Sequence, residues 1–248
     1  INANPLLASM LLDPEPIVEI RIERRTPWYI WAGAGTLAAG GAQAAIIENF
    51  GDAPFVADRV DASTVAYMTK IALAVRQACP DLDLGINVLR NDALSALAIA
   101  STVGATFVRV NVLVGTMVTD QGLVSGRARD LLLMRQRLSS DIAIWADVMV
   151  KHAVPLGPQE LIQVAKDSLY RGGADALIVS GSGTGQPIDH ESLRQLREHL
   201  PNCRLVAGSG VVPENIPPHI DSAIVGTWLH DNSDLSQPLS LTRVTAMR

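Results

Sequence analysis

Short, nearly continuous apolar runs alternate with longer stretches of helical periodicity along most of the chain. The runs fall at residues 6–12, 44–47, 84–89, 107–112, 142–148, 176–179, 205–207 and 223–225. Between them, apolar positions recur every three to four residues over 63–78, 93–103, 127–138, 159–171 and 190–200, the spacing of amphipathic helices. A strand that is apolar at every position is buried on both faces, as in a parallel sheet covered by helices. Gly104 and the Gly172-Gly173 pair stand where two of these helices should stop. Eight such units in 248 residues predict an α/β fold, a closed (β/α)8 TIM barrel, with an open doubly wound sheet as second choice. No linker or shift of composition breaks residues 1–248, which read as one domain with a divergent first βα unit.

That first unit departs from the pattern. Val18, Ile20 and Ile22 alternate with Glu19, Arg21 and Glu23, which predicts a half-exposed strand, an extra edge strand or a hairpin arm covering the barrel. Residues 26–47 carry no charge, follow Arg21, Arg24 and Arg25, and open with Trp28, Tyr29 and Trp31. Such a stretch is long enough to span a bilayer. Its glycines and alanines make it weakly apolar, and Gly40-Gly41 reads as a helix stop before a strand. A buried helix plus strand is therefore expected, ahead of peripheral membrane contact or a true span. The segment Ile1-Asn2-Ala3-Asn4-Pro5 lacks the basic start of a secretory leader, and a cytoplasmic location is expected.

Composition narrows the function classes. Charged residues make up 18% of the chain against a usual value of about 25%, so much of it goes into a core. The formal charge of -5 gives no global field to attract nucleic acid, and no nucleic-acid partner is expected. Cys79 and Cys203 lack metal-ligand or redox spacing and fit a reducing compartment.

In a barrel, function sits at the carboxyl ends of the strands, and there the sequence turns polar repeatedly. Glu48-Asn49 end the second strand, and Asn87 with Arg90-Asn91-Asp92 end the third. Arg109 and Asn111 lie on the fourth, Asp147 ends the fifth before Lys151-His152, and Ser180 opens a Ser/Gly/Thr run that includes Thr184. On the fourth strand Val108, Val110 and Val112 share one face while Phe107, Arg109 and Asn111 share the other. The valine row suits packing against helices, which directs Arg109 and Asn111 into the barrel. By the same parity Trp145 and Asp147 point inward next door. A buried guanidinium needs a carboxylate or an anionic ligand. Arg109 and Asp147 are thus either a bracing pair or part of a ligand site with Asn87, Arg90, Asn111, Ser180, Thr184 and Glu48. Glu48 and Asp147 are also the oxygen ligands a hard cation would use, although their spacing demands no metal and none is assigned.

Lys151 suits an anion anchor or amine nucleophile and His152 an acid/base; both equally suit an ordinary loop. Gly208-Ser209-Gly210 after the seventh strand and Gly226-Thr227 after the eighth are the turns from which barrels present backbone N–H groups to a phosphate. Residues 180–185 lack a P-loop ending and read as a lid or a polar wall. Residues 113–126 form a long loop that could close over the mouth.

These strings are specific. ENFGDAPF at 48–55, NVLRNDA at 87–93, RVNVL at 109–113 with TDQGL at 119–123, ADV at 146–148 with VKHA at 150–153, and SGSGTG at 180–185 with GSG at 208–210 resemble the BtpA family. The resemblance covers about residues 39–225. It implies a TIM barrel. It further implies a role like that of the family's namesake, a cyanobacterial protein of the thylakoid membrane needed for photosystem I biogenesis. Bacterial relatives among sugar-metabolism proteins make an enzyme acting on a phosphorylated sugar or nucleotide-like metabolite the alternative. Against the family pattern, Leu11 and Met149 stand where histidines are usual, and Trp228 and His230 where small and basic residues are. The resemblance settles no reaction and names no cofactor. The leading reading keeps a phosphate-type ligand pocket. In the enzyme alternative the catalytic candidates are Glu48, Asp147, Lys151 and His152, with Glu48 or Asp147 supplying acid/base or metal chemistry and Arg109 and Lys151 binding anions. The expected partners are a phosphorylated small molecule, photosystem I components or the thylakoid surface, and further copies of the chain in a homo-oligomer. A third reading is a scaffold whose polar interior is purely structural.

Overall fold

The β-branched runs pair side by side, all in parallel, and the sheet closes on itself. The computed structural model describes residues 15–21, 27–150, 152–181, 189–208 and 210–247. Its staves are β1 (Glu15–Arg21), β2 (Ala44–Glu48), β3 (Asp83–Asn87) and β4 (Phe107–Val110), followed by β7 (Ala143–Val148), β9 (Ala176–Ser180), β10 (Arg204–Gly208) and β11 (Ser222–Val225). They run around the barrel in that order, and β1 closes the seam between β2 and β11. The chain folds as a (β/α)8 barrel, as the alternation predicted.

Helices wrap the outside: α1 (Pro27–Ala39), α2 (Ala62–Ala78), α3 (Ala93–Val103), α4 (Ala128–Arg137), α5 (Leu161–Lys166), α6 (His190–His199) and α7 (Leu241–Ala246). Local chemistry fixes their ends. Asp92 caps α3 by accepting the Ser95 N–H at 3.0 Å, and Gly104 ends that helix. Asp189 caps α6 through the Glu191 N–H. The uncharged stretch 26–47 supplies a 13-residue helix and then β2, as expected. No helix among the described residues is long and apolar enough to cross a membrane.

Two apolar clusters follow from strand parity. The larger joins outward stave residues such as Val108, Val110, Ile144 and Leu177 to helix faces such as Leu97, Ile99, Leu193 and Leu196. The smaller lies inside the barrel and contains Ala44, Ile46, Phe107, Trp145, Ile178, Val206 and Ile224. Phe107 and Trp145 stack there with ring centroids 4.0 Å apart. Their bulk explains Gly85, where a Cβ would lie 2.2 Å from the Phe107 ring. At the amino-terminal end Arg204 lies over Trp145 and donates to Ser222 Oγ at 3.0 Å.

Two sequence readings are corrected. The segment around Val18 and Ile20 is a full stave rather than an edge strand or arm. Its alternation with charge suggested an edge, but its backbone pairs in parallel with β2 on one side and with β11 on the other. The run at 6–12 lies outside the described residues. Residues 113–126 are not an irregular lid. They hold the hairpin β5 (Thr116–Thr119) and β6 (Gly122–Ser125), which β8 (Ala153–Pro155) extends to an antiparallel sheet in the order β6-β5-β8. The alternation of Met117 and Val124 with exposed neighbours is a strand signal, masked in the sequence by the glycines around it.

Candidate active site at the carboxyl end of the barrel

Parity carries Glu48, Asn87, Arg109, Asn111, Asp147 and Ser180 to the inside of adjacent staves at the carboxyl end. Asp147 is the hub. Its Oδ2 accepts from Arg109 Nε at 2.9 Å and from Asn111 Nδ2 at 3.0 Å. Its Oδ1 accepts from Arg109 Nη2 at 3.0 Å and from Ser180 Oγ at 3.5 Å. The side chains of Arg109 and Asp147 are 4% and 0% exposed, so this two-pronged ion pair is fully withdrawn from water. Beside it Asn87 Nδ2 donates to Glu48 Oε1 at 2.6 Å, and both residues are buried. Asn111 is buried with its Nδ2 committed to Asp147, yet its Oδ1 has no hydrogen-bond donor among the described residues. A buried carbonyl oxygen left so costs about 1–3 kcal/mol unless something meets it.

Two asparagines missed in the sequence as structural devices tie the strand ends together. Asn49 Oδ1 accepts the Leu89 N–H at 2.7 Å, and its Nδ2 reaches Leu89 O and Asp52. Asn91 Oδ1 accepts the Val112 N–H while its Nδ2 donates to Val112 O, each at 2.8 Å. Each amide thus imitates a peptide group and continues the ladder one step beyond the staves, from β2 to β3 and from β3 to β4. Asp92 adds a bond from the Val60 N–H. The signal for this role was an asparagine at or just after a strand end.

Arg90 is placed differently from Arg109. Its Nε donates to Gln121 Oε1 at 3.0 Å, its guanidinium lies 4.8 Å above the Phe55 ring, and Nη2 is 3.6 Å from Asp120. It thereby anchors the tip of the β5–β6 hairpin to the loops after β2 and β3. His152 is exposed at the entry to β8 with φ +61°. Lys151, Thr184 and Ser209 lie outside the described residues.

The two glycine turns sit on neighbouring staves, since Gly208 is in register with Ile224 of β11. Gly208 has no room for a side chain: a Cβ would lie 2.6 Å from Ile178 Cγ2 and 2.8 Å from Ser180 Oγ. Gly210 has φ +67°, and Asn215 holds its loop by donating to Gly210 O at 3.0 Å and accepting from the Val212 N–H at 2.7 Å. Gly226 leads into a short turn at Thr227–Leu229. Among the described residues no group of three or more His, Cys, Asp or Glu is placed to hold a metal ion.

Family membership is decided by comparison with known proteins. A model of the BtpA family matches residues 29–247. The chain belongs to the BtpA family. It is 47% identical over 216 residues to the photosystem I biogenesis protein BtpA of Synechocystis sp. (strain ATCC 27184 / PCC 6803 / Kazusa), covering 86% of this chain and 75% of that one. It is also 41% identical over 248 residues to an uncharacterized protein of Pyrococcus furiosus, covering 98% and 92% of the two chains. Among solved structures, the 2-keto-3-deoxy-6-phosphogluconate aldolase of Zymomonas mobilis ZM4 superposes with a TM-score of 0.62 at 14% identity, over 99% of this chain and 94% of that one. Phosphoribosyl anthranilate isomerase from Thermus thermophilus gives 0.58 at 14% identity, over 94% and 96%. At these identities the likeness concerns the barrel alone.

Proposed function

We propose that this BtpA-family barrel binds a phosphorylated, hydroxyl-bearing small molecule at its carboxyl-terminal mouth and acts in photosystem I biogenesis at the thylakoid surface. The biogenesis role is carried over from the name of the Synechocystis relative. The ligand reading rests on one observation: Asn111 Oδ1, a buried acceptor without a donor among the described residues, beside an Asp147 carboxylate already held by Arg109, Asn111 and Ser180. A ligand hydroxyl or amine would supply that donor. The glycine turns after β10 and β11 would hold the phosphate, because glycine lets backbone N–H groups approach an anion closely.

In this account Arg109 does not meet the phosphate. Asp147 takes both prongs of its guanidinium, and the pair fixes Asn111 at the rim. Glu48 favours a second reading, an enzyme on the same ligand class. Its buried carboxylate receives the Asn87 amide at 2.6 Å and would be the acid/base group, with Arg109 and Asp147 as positioning residues.

A thermal-shift screen with inorganic phosphate, D-ribose 5-phosphate and D-glucose 6-phosphate, with and without Mg²⁺, tests the ligand reading. A ligand at a hundred times its Kd stabilises by about 2.7 kcal/mol. That raises the melting temperature by about 5–10 °C in a chain of this size. The sugar phosphates should exceed inorganic phosphate, and Asn111→Leu should erase the difference. No shift with any of the three at 10 mM would refute the reading. Co-sedimentation with thylakoid vesicles tests the location, and complete absence from the pellet would count against it.

A further inference from the structure

The small sheet β6-β5-β8 has two edges, and its hydrogen-bond phase shows what each can do. Leu156 N donates to Thr116 O at 3.1 Å, and Gly126 N donates to Gly115 O at 2.8 Å. Bonded and non-bonded pairs alternate along an antiparallel ladder. Thr116 and Val118 therefore turn their peptide groups to β8, and Met117 and Thr119 turn theirs to β6. On β6 the N–H and C=O groups of Leu123 and Ser125 face outward, and on β8 those of Ala153 and Pro155 do. Proline has no N–H to offer, so β8 is closed to extension. β6 is open: Gly122-Leu123-Val124-Ser125 carries no charge and no proline, the usual guards of an edge strand. Among the described residues no backbone hydrogen bond from beyond β5 reaches Leu123 or Ser125.

The outer face leading to that edge is apolar. Val118 stands between Leu123 and Val154 in register. Their exposures are 42%, 59% and 67%, and Leu156 beside them is 61% exposed. The opposite face is already used, since Met117 and Val124 pack against Val112 and Val150.

We infer that a second copy of this chain pairs its β6 antiparallel with this one across a twofold axis. The outward groups belong to residues two apart, which is the spacing an antiparallel bonded pair requires. Leu123 then exchanges two hydrogen bonds with Ser125 of the second copy, Ser125 does the same with Leu123, and Val124 meets its own copy on the axis. The product is a six-stranded sheet with one self-complementary contact, the closed form of a homodimer. A second copy fits better than a charged partner or an anionic membrane, because the row bears no charge and the chain carries a net -5. Edge pairing sets Leu123 of each copy beside Ser125 of the other and leaves Val118, Val154 and Leu156 on the outer face of the six-stranded sheet, so the contact rests on its backbone hydrogen bonds and is a weak one. The contact does not depend on the ligand reading.

Analytical ultracentrifugation of the full chain from 1 to 200 μM tests this. The wild type should move from 26.4 kDa toward twice that mass, and do so equally in 0.5 M NaCl. Leu123→Lys and, separately, Ser125→Pro should stay at monomer mass across the range, while Ser125→Ala, which keeps its N–H, should still dimerise. Circular dichroism melts report whether each variant folds, and Leu123→Lys carries the test if Ser125→Pro does not. A monomeric wild type at 200 μM, or a dimer that survives Leu123→Lys, would overturn the inference.

Discussion

The Arg109–Asp147 pair allows a prediction with an internal asymmetry. In Asp147→Leu the guanidinium loses both prongs, at 2.9 and 3.0 Å, in a place where the side chain is only 4% exposed. Asn111 Nδ2 loses its acceptor as well. Breaking a buried pair by removing one partner costs about 3–5 kcal/mol, and a stranded amide adds about 1–3 kcal/mol. Arg109→Met is milder, because the Asp147 carboxylate keeps the Asn111 amide and the Ser180 hydroxyl. The double variant strands neither charge and leaves mainly the Asn111 amide unmet, so it should lose about 2–4 kcal/mol less than the sum of the singles. Urea unfolding of the four proteins, compared at constant m-value, measures that coupling. Losses that add to within about 0.5 kcal/mol would refute the pairing, as would an Arg109→Met variant less stable than Asp147→Leu.

Other consequences are simpler. Gly208→Ala should destabilise by about 1–3 kcal/mol in urea, because its new methyl meets Ile178 and Ser180 at 2.6 and 2.8 Å; a neutral result would mean β9 and β10 can part. Asn91→Leu unmakes both 2.8 Å bonds to Val112, and hydrogen exchange should accelerate at the Val112 amide ahead of the stave amides. Burial pushes the Cys203 thiol up to about 12 and raises that of Cys79 as well. Both are free thiols, Cys79 buried and Cys203 partly buried, so iodoacetamide at pH 8.5 should label both slowly until denaturant is added, and prompt alkylation of Cys203 would contradict its raised thiol.

The barrel was legible because its staves are apolar on both faces, a pattern that surface strands do not share. Parity on one strand sufficed to turn Arg109 and Asn111 inward, and the same rule on the next stave supplied Asp147 as their partner. What the pattern could not supply was the use of each polar group. Nothing local distinguishes Asp147, saturated by Arg109, Asn111 and Ser180, from Glu48, which receives the Asn87 amide. Asn49 and Asn91 bind backbone on the next strand, a contact fixed only when the staves come into register. Arg90 looks like Arg109 in the sequence, yet it follows its stave and turns to the hairpin. The first stave was misread because alternation with charge is the pattern of an edge strand, whereas its place between β2 and β11 is fixed by backbone pairing on both sides. The hairpin was hidden by Gly115, Gly122 and Gly126, which read as loop although they bound two short strands.

A crystal structure grown with the strongest binder among the tested sugar phosphates probes the ligand site most directly. A ligand hydroxyl or amine should lie within hydrogen-bond distance of Asn111 Oδ1, with the phosphate against the glycine turns after β10 and β11. Ligand density anywhere else on the barrel, or a ligand in the mouth that leaves Asn111 Oδ1 without a donor, would contradict that placement.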